Sequence, residues 1–207
     1  MLLSYQWTDV MKRLYRLLPS ELNQIQRQLY DNITNGRRSN AKNQFRLSDR
    51  EGSLEGPFNL FVMFPDLGSI LSNLGEFIRY ESKLPSRLRE LMILHIAVDF
   101  QSEFEWYAHK QLAINEGISV LMIESIRDGN KPENLDARES ISYELYQKLK
   151  THESITDEFF SKVTEHLDTE MIFELISLVG YYSTLAMLMQ TFCVSIPDGE
   201  ELTFQHE

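Results

Sequence analysis

The sequence predicts an all-α fold for this chain of 207 residues. Apolar residues recur at steps of three and four along most of it, which is the spacing of one face of an α-helix. Hardly any window alternates with the two-residue period of a half-buried strand, and the β-branched runs typical of a sheet are missing. At this length we expect one domain with a substantial core.

The first third of the chain predicts two helices and a long loop. Residues 5–18 place apolar side chains on one face, and Pro19 is expected to end that helix. Ser20 is expected to cap a second helix, which Asn35 and Gly36 end. The polar segment that follows is long for a compact domain, so it either connects or covers something.

The remaining chain predicts a series of helices. Pro85, Gly117 and the turn at Asp168 separate apolar periodic segments, and Pro197 is expected to stop the last helix. That last helix has no polar stripe until its end, which indicates a core helix or a subunit interface. The predicted organisation is an N-terminal helical arm (1–36), a loop (37–56), a helical domain (57–197) and a tail (198–207).

Charge and cysteine content narrow the classes of function. Twenty basic and thirty-one acidic side chains give a net charge of −11, which disfavours a nucleic-acid partner. The single cysteine, Cys193, cannot form an internal disulfide or a CxxC redox pair. The start of the chain lacks a basic segment followed by an apolar one, and no run of eighteen apolar residues occurs. We expect a soluble cytoplasmic protein with no membrane partner.

One pair of segments carries the candidate chemistry. Glu105 and His109 lie four residues apart, so they share one face of a predicted helix, and Glu90 precedes them on the helix before. A carboxylate and an imidazole at this spacing can hold and move a proton. The same spacing also occurs as an exposed surface pair that contributes a few tenths of a kcal/mol, about 0.2–0.5.

Four blocks of sequence together resemble the carboxymuconolactone decarboxylase family, which includes the alkylhydroperoxidase D-like (AhpD-like) proteins. The resemblance covers roughly residues 20–197. The blocks are Gly56-Pro57-Phe58-Asn59, Arg87-Leu88-Arg89-Glu90-Leu91, Glu105-Trp106-Tyr107-Ala108-His109, and Val179-Gly180-Tyr181-Tyr182. The resemblance implies an all-α AhpD-like helical bundle that assembles as a homo-oligomer, a trimer or a hexamer made from trimers.

The resemblance also implies which chemistry is lost and which is kept. In the peroxidase branch, a glutamate, a CxxC pair and a histidine surround a redox-active thiol, and Ser102 and Glu105 stand here at the two cysteine positions. Neither residue can perform thiol–disulfide chemistry. The decarboxylase branch is the better match, and it implies no metal or organic cofactor. We expect His109 to donate a proton, with Glu90 and Glu105 setting its tautomer and charge.

A small carboxylated or lactone-like substrate requires further contacts. Arg79, Arg87 and Arg89 lie near the start of the helix that carries Glu90, and Arg87 shares its face best, although a surface ion pair would explain Arg87 equally well. Ser102 and Tyr181 are the other candidate substrate-binding residues.

Three alternatives remain open from the residues alone. A metal site would use His95, Glu103, Glu105 and His109, which are suitable nitrogen and oxygen ligands. A non-catalytic oligomeric scaffold would use the pocket for binding only. A residual antioxidant role would have to use Cys193, whose simplest interpretation is a small buried apolar residue.

Overall fold

The structure is a computed structural model that describes residues 13–37 and 45–204. Those residues form nine α-helices and no strand, which confirms the predicted all-α fold. An isolated bridge between Ser48 and Leu54 is the one β-type pairing in this part of the chain. The helices are α1 (Gln24–Asn35), α2 (Pro57–Met63), α3 (Pro65–Tyr80), α4 (Ser86–Asp99), α5 (Glu103–Asn115), α6 (Val120–Arg127), α7 (Ala137–Lys150), α8 (Asp157–Thr164) and α9 (Thr169–Thr191).

Helix α4 is the centre of the fold, because ten of its fourteen residues are buried and it packs against α5, α6 and α9. One side, with Leu88 and Met92, enters the main hydrophobic core. The other side, with Leu91 and Leu94, joins a smaller core around Trp106. Since apolar groups cover both sides, a polar side chain on α4 needs a partner from a neighbouring helix.

The N-terminal segment differs from the prediction. Residues 13–18, the described part of the predicted helix 5–18, are not helical, and its earlier residues lie outside the described ranges. The side-chain amide of Asn59 explains the difference. It accepts a hydrogen bond from the backbone nitrogen of Leu17 at 3.1 Å and donates one to the carbonyl oxygen of Tyr15 at 3.2 Å. These bonds hold an extended backbone against α2.

Helix α1 begins later than predicted. Ser20 lies in a short 3-10 turn, and Asn23 is the residue that caps the helix. The Asn23 side chain accepts hydrogen bonds from the backbone nitrogens of Ile25 and Gln26, which satisfies two amides of the first turn. The helix ends before Gly36 as expected, and its inward face belongs to the main core.

Part of the predicted loop 37–56 covers the core. Its residues 38–44 lie outside the described ranges, so only the second half is placed. There, Glu55 is fully buried and forms an ion pair with Arg16 at 2.5 Å. Phe45 is also buried and packs in the main core. This half of the loop is therefore an ordered cover.

Two helix ends also differ from prediction. The apolar spacing predicts a helix over residues 99–116, but α5 starts only at Glu103, after a turn in which Gln101 has a left-handed φ of 49°. The last helix ends at Thr191 rather than at Pro197, because Cys193 adopts a left-handed φ of 54°. The turn at Gln101 lets α5 fold back along α4, so the two helices form a hairpin.

Helix α9 is the long apolar helix that the sequence predicts. Among the described residues it is the one helix whose length and composition would suit a membrane span, and 44% of its most apolar window is buried inside the protein. It contacts α3 and α4 and brings Tyr181 and Tyr182 beside them. The cytoplasmic location stays a prediction.

Candidate active site

Glu105 and His109 lie one turn apart on α5, and Glu90 faces them from α4. The distance from Oε2 of Glu105 to Nε2 of His109 is 3.5 Å. The distance from Nδ1 of His109 to Oε2 of Glu90 is 2.6 Å. The structure thus brings together the three residues that the sequence predicts to be catalytic, with the imidazole between two carboxyl groups.

All three side chains are buried, with exposed fractions of 3% for Glu90, 2% for Glu105 and 3% for His109. Carboxyl groups are rarely buried this deeply unless they are paired. Oε1 of Glu105 is buried without a hydrogen-bond partner in the described part of the chain. The alternative of an exposed surface pair is therefore wrong.

The bond between Glu90 and His109 sets the charge of both. Burial acts to raise the pKa of Glu90, but the attraction of His109, their hydrogen bond and the cations of Arg79 and Arg89 lower it overall. Burial lowers the pKa of His109, and Glu90 offsets this in part. At neutral pH, Glu90 is therefore a carboxylate that accepts the Nδ1 proton, and Nε2 of the neutral imidazole keeps its lone pair.

Glu105 has the opposite charge state. Burial raises its pKa to about 8, with attraction from Arg79 acting against the rise and repulsion from Glu90 adding to it. The group is thus mainly a neutral carboxylic acid at pH 7. Two carboxyl groups beside one imidazole therefore differ in protonation, which is an arrangement that assigns acid and base roles.

A cavity of about 30 Å³ opens beside this group, with room for one or two waters. Its wall includes Glu105, His109 and the cationic side chain of Arg79 from α3. The rest of the wall is mostly aromatic. It comprises Phe45, Pro57, Phe58, Gly75, Phe104, Ala108, Tyr181, Tyr182 and Leu185. The polar groups are thus gathered in an otherwise apolar pocket, which is typical of small-molecule sites.

Tyr181 and Tyr182 form the α9 side of the cavity. The ring of Tyr182 meets that of His109 edge-on, with centroids 5.2 Å apart. Tyr181 packs edge-on against Tyr182 and places its hydroxyl over Gly75, where a Cβ would collide with it. The predicted binding residue Tyr181 therefore lines the cavity, and its position requires a glycine at Gly75 on α3.

Arg87 lies elsewhere. Its Nε is 2.6 Å from Oε1 of Glu139 on α7, and its Nη1 donates to the carbonyl oxygen of Gly117. It is not part of the cavity wall, whereas Arg79 is. Helical spacing places Arg87 three residues before Glu90, but it does not show that Arg87 is near enough to α7 to pair with the buried carboxylate of Glu139.

Ser102 also stays outside the cavity wall. It is buried at the start of α5, and its hydroxyl has no hydrogen-bond partner in the described part of the chain. Its position matches the spacing for the first cysteine of a CxxC pair, but the structure does not bring its hydroxyl into the group of His109.

Sequence reasoning did not identify Phe45 or Arg79 as parts of the wall. Phe45 comes from the loop before α2, and no periodic pattern marks it. Arg79 was one of three arginines considered, and only the packing of the last turn of α3 against α9 distinguishes it. Tyr182 could have been found from its position beside Tyr181, in the sequence block that resembles the family.

The proposed metal ligands do not converge. Both carboxylate oxygens of Glu103 accept hydrogen bonds from the backbone nitrogens of Thr203 and Phe204. The ring of His95 packs against Tyr143 with centroids 4.8 Å apart. Over residues 13–37 and 45–204, no group of three or more His, Cys, Asp or Glu side chains is arranged to hold a metal ion. These donors therefore do not form the four-ligand set that the spacing allowed.

Comparison with known proteins identifies the fold by structure rather than by sequence. No protein-family model matches the chain, and no curated protein matches it. An AhpD-core, uncharacterised peroxidase-related protein from Ralstonia eutropha JMP134 superposes with a TM-score of 0.69 and 13% identity, over 90% of this chain and 92% of that one. A peroxidase-related protein from Silicibacter sp. TM1040 gives a TM-score of 0.70 and 9% identity, over 94% and 96%.

A third similar structure is a variant of the debrominase Bmp8 in complex with 2,3,4-tribromopyrrole. Its TM-score is 0.65 at 11% identity, over 88% of this chain and 90% of that one. Identities this low show the fold alone, and one fold can serve several chemistries. The chain therefore has the all-helical AhpD-like fold.

Proposed function

We propose that this protein is a cofactor-free enzyme similar to carboxymuconolactone decarboxylase, which moves a proton to or from a small carboxylated or lactone-like substrate. The observation that supports this proposal is the buried series Glu90, His109 and Glu105 beside a cavity. A buried acid and base of different protonation states are the components of general acid–base catalysis.

The charge states divide the roles. Glu105, neutral at pH 7 because burial raises its pKa to about 8, is the proton donor. Nε2 of His109, 3.5 Å from Oε2 of Glu105, is the acceptor that later returns a proton to Glu105. Glu90 holds the imidazole in the required tautomer. This assignment makes His109 the relay and moves the direct donor role from His109 to Glu105.

The first reaction that these groups would serve is a decarboxylation. The bond between the carboxylate carbon and the ring carbon breaks, CO2 leaves, and the electron pair enters the unsaturated lactone. Glu105 then protonates the substrate carbon, and His109 passes a proton from solvent back to the Glu105 carboxylate. The same groups would serve an isomerisation in which one proton is removed and another is delivered.

Arg79 is the candidate anchor for the substrate carboxylate, in place of Arg87. It lines the same cavity as Glu105 and His109, and its guanidinium lies over the faces of Phe45 and Tyr80, 5.9 and 5.6 Å from the ring centroids. A guanidinium is planar and can pair with a carboxylate through two parallel hydrogen bonds. Because the cavity volume is only about 30 Å³, a substrate must displace part of the wall as it binds.

A second candidate is a non-catalytic binding scaffold that uses the same mostly aromatic pocket. Such a protein would bind a ligand and release it unchanged. The third candidate, a residual antioxidant role, depends on Cys193. This half-buried residue lines a different pocket, with Arg16 and Asn59, and does not lie in the wall beside His109.

The test combines binding with proton exchange. Purified protein is heated with a panel of unsaturated lactones and keto acids. A ligand that binds the folded state raises the free energy of unfolding by RT ln(1 + [L]/Kd), and the unfolding temperature rises with it. Compounds that bind are then incubated in D2O, and nuclear magnetic resonance follows deuterium incorporation and loss of CO2. We expect exchange or turnover that Glu105→Gln and His109→Gln abolish, while the fold, measured by circular dichroism, is retained.

Two controls separate the candidates. Cys193→Ser is expected to behave as the wild type, and equal peroxide consumption by this variant and the wild type would end the antioxidant role. Binding without exchange or turnover for every compound would support the scaffold instead of the enzyme. Full activity of His109→Gln would remove the relay from the mechanism.

A further inference from the structure

Arg89 is a buried cation that the proposed reaction leaves without a role. It precedes Glu90 on α4, and only 8% of its surface is exposed. A buried guanidinium is costly unless a carboxylate or hydrogen bonds compensate for the lost water. Within the described residues, its Nε lies 3.7 Å from Oε1 of Glu90, and its Nη1 donates a hydrogen bond to the carbonyl oxygen of Ile78 over 3.5 Å. The carboxylate of Glu90 is therefore its counter-ion.

The two oxygens of the Glu90 carboxylate have different partners. Oε2 accepts the Nδ1 proton of His109 over 2.6 Å, and Oε1 is the oxygen that pairs with Arg89. Nε of Arg89 forms no hydrogen bond in the described part of the chain, so the guanidinium acts on Glu90 through its charge. Arg89 thus lies at the inner end of a series that continues through Glu90 and His109 to Glu105 at the cavity.

Arg89 and Arg79 differ in what a ligand can reach. Arg79 lines the cavity, where a bound carboxylate would neutralise its charge. Arg89 is not part of the cavity wall, so a ligand there leaves its pairing with Glu90 untouched. Without Arg89, a carboxylate bound at Arg79 would weaken the ionisation of Glu90 when the relay is needed. The two arginines therefore divide the work of binding an anion and of holding one.

We propose that Arg89 is a positioning residue, which keeps Glu90 ionised and its Oε2 directed at His109 while a ligand occupies Arg79. Arg89 acts through Glu90 and does not touch the substrate. The inference rests on the proposed function, since the relay is what Arg89 positions. A merely structural role is the alternative, because the bond to the carbonyl oxygen of Ile78 also joins α4 to the last turn of α3.

The charge of Arg89 affects how the pair of Glu90 and His109 titrates. Burial acts to raise the pKa of Glu90, but His109 and two cations, one of them Arg89, lower it overall. Burial is the largest cause that lowers the pKa of His109, and repulsion from the same two cations adds to it. The pair binds its next proton as a unit, so removing the charge of Arg89 lets it take up that proton at higher pH. Three further groups face the pair and stay the same in every variant below, namely Arg79 on α3, Glu105 on α5 and Tyr182 on α9.

The test follows the titration of His109 by nuclear magnetic resonance of the full chain, labelled with nitrogen-15 in its five histidines. The spectrum of His109→Gln identifies the signals of this imidazole, whose ring nitrogens report its protonation and tautomer as pH is lowered. We expect the midpoint to move to higher pH in Arg89→Gln and to keep its wild-type value in Arg89→Lys. Arg87→Gln is the matched control on the same helix, since Arg87 pairs with Glu139 instead. It should lose stability without moving the midpoint.

A charge effect and a merely structural role predict different spectra. An unchanged midpoint in Arg89→Gln, an equal displacement in Arg87→Gln, or a displaced midpoint in Arg89→Lys would overturn the inference. If Arg89→Gln does not fold, the lysine variant decides, because a wild-type midpoint supports the charge effect and a displaced one overturns it. These spectra need no substrate, so absence of turnover would end the proposed activity and leave this test intact. With a substrate that turns over, the acid limb of the kcat profile should move to higher pH in Arg89→Gln while KM is unchanged.

Discussion

Nδ1 of His109 donates a hydrogen bond to Oε2 of Glu90 over 2.6 Å, and this bond ties α5 to α4 where both side chains are buried. It connects two residues that are nineteen apart in sequence. Because the carboxylate is ionised and the imidazole neutral, the bond both orients the ring and leaves Nε2 as the basic atom.

Glu90→Gln is expected to lower the free energy of unfolding by about 1–3 kcal/mol, the range for losing the charge from a buried hydrogen bond. Glutamine keeps the shape and an acceptor oxygen, but it removes the charge that attracts the imidazole proton. Denaturant unfolding measures the change. Glu124→Gln, an exposed site on α6, should differ from the wild type by less than about 0.5 kcal/mol. Equal effects at both sites would contradict a structural role for the Glu90–His109 bond.

Glu105→Gln should change how stability depends on pH. Burial raises the pKa of Glu105 from 4.5 to about 8 in the folded protein, so the folded state keeps a proton that the unfolded state releases between these values. The stability contributed by this group is therefore complete below pH 4.5 and is lost as pH rises toward 8, by at most about 1.4 kcal/mol per pH unit.

Urea unfolding across this pH range tests that expectation. The wild type should lose stability relative to Glu105→Gln as pH rises, because the variant has no titrating group at this position. Parallel stability curves for the two proteins would show that Glu105 titrates normally.

Replacing Arg79 should affect ligand binding, whereas replacing Arg87 should affect the stability of the fold. Arg79→Gln is expected to abolish the thermal stabilisation by carboxylate ligands, since Arg79 is the cationic residue in the cavity wall. Arg87→Gln should retain that stabilisation but unfold more easily, by about 1–3 kcal/mol, because it leaves the buried carboxylate of Glu139 without its ion-pair partner. Thermal shift with and without ligand measures both effects. Loss of the ligand effect in the Arg87 variant alone would restore the sequence-based assignment.

His95 is expected to contribute to acid unfolding. Burial lowers its pKa from 6.5 to about 4, with Asp99 acting against the shift, so the imidazole stays neutral in the folded state while the unfolded state binds a proton between these values. Stability should therefore fall as pH decreases from about 6.5 to 4. His95→Phe removes this titration, and its stability should depend less on pH in that interval.

The matched control for His95 is His152→Asn, an exposed position with a left-handed φ of 58° that asparagine tolerates. Unfolding by urea between pH 4 and 7 compares the three proteins. A slope for His95→Phe equal to that of the wild type would assign the acid sensitivity to other groups.

The helices themselves were largely predictable because their signals are local. These signals depend on neighbours within a few residues. They are the apolar periodicity, the helix-capping side chain of Asp168, and the glycines that end helices at Gly36 and Gly117. The failures occurred where a distant group competes with the local pattern. Residues 13–18 have helical spacing, yet the amide of Asn59 holds their backbone extended.

The sequence by itself determined the all-helical class through its apolar periodicity, and the pairing of Glu105 with His109 through their four-residue spacing on one helix. That Glu90 belongs with them was implied by the family resemblance. Tertiary structure alone decided which cation shares their cavity: helical spacing favoured Arg87, but Arg87 pairs with Glu139 on α7, and Arg79 lies in the cavity wall instead. Tertiary structure also decided the protonation of Glu105. Its pKa depends on burial and on charges from other helices, and the residues next to Glu105 in sequence determine neither.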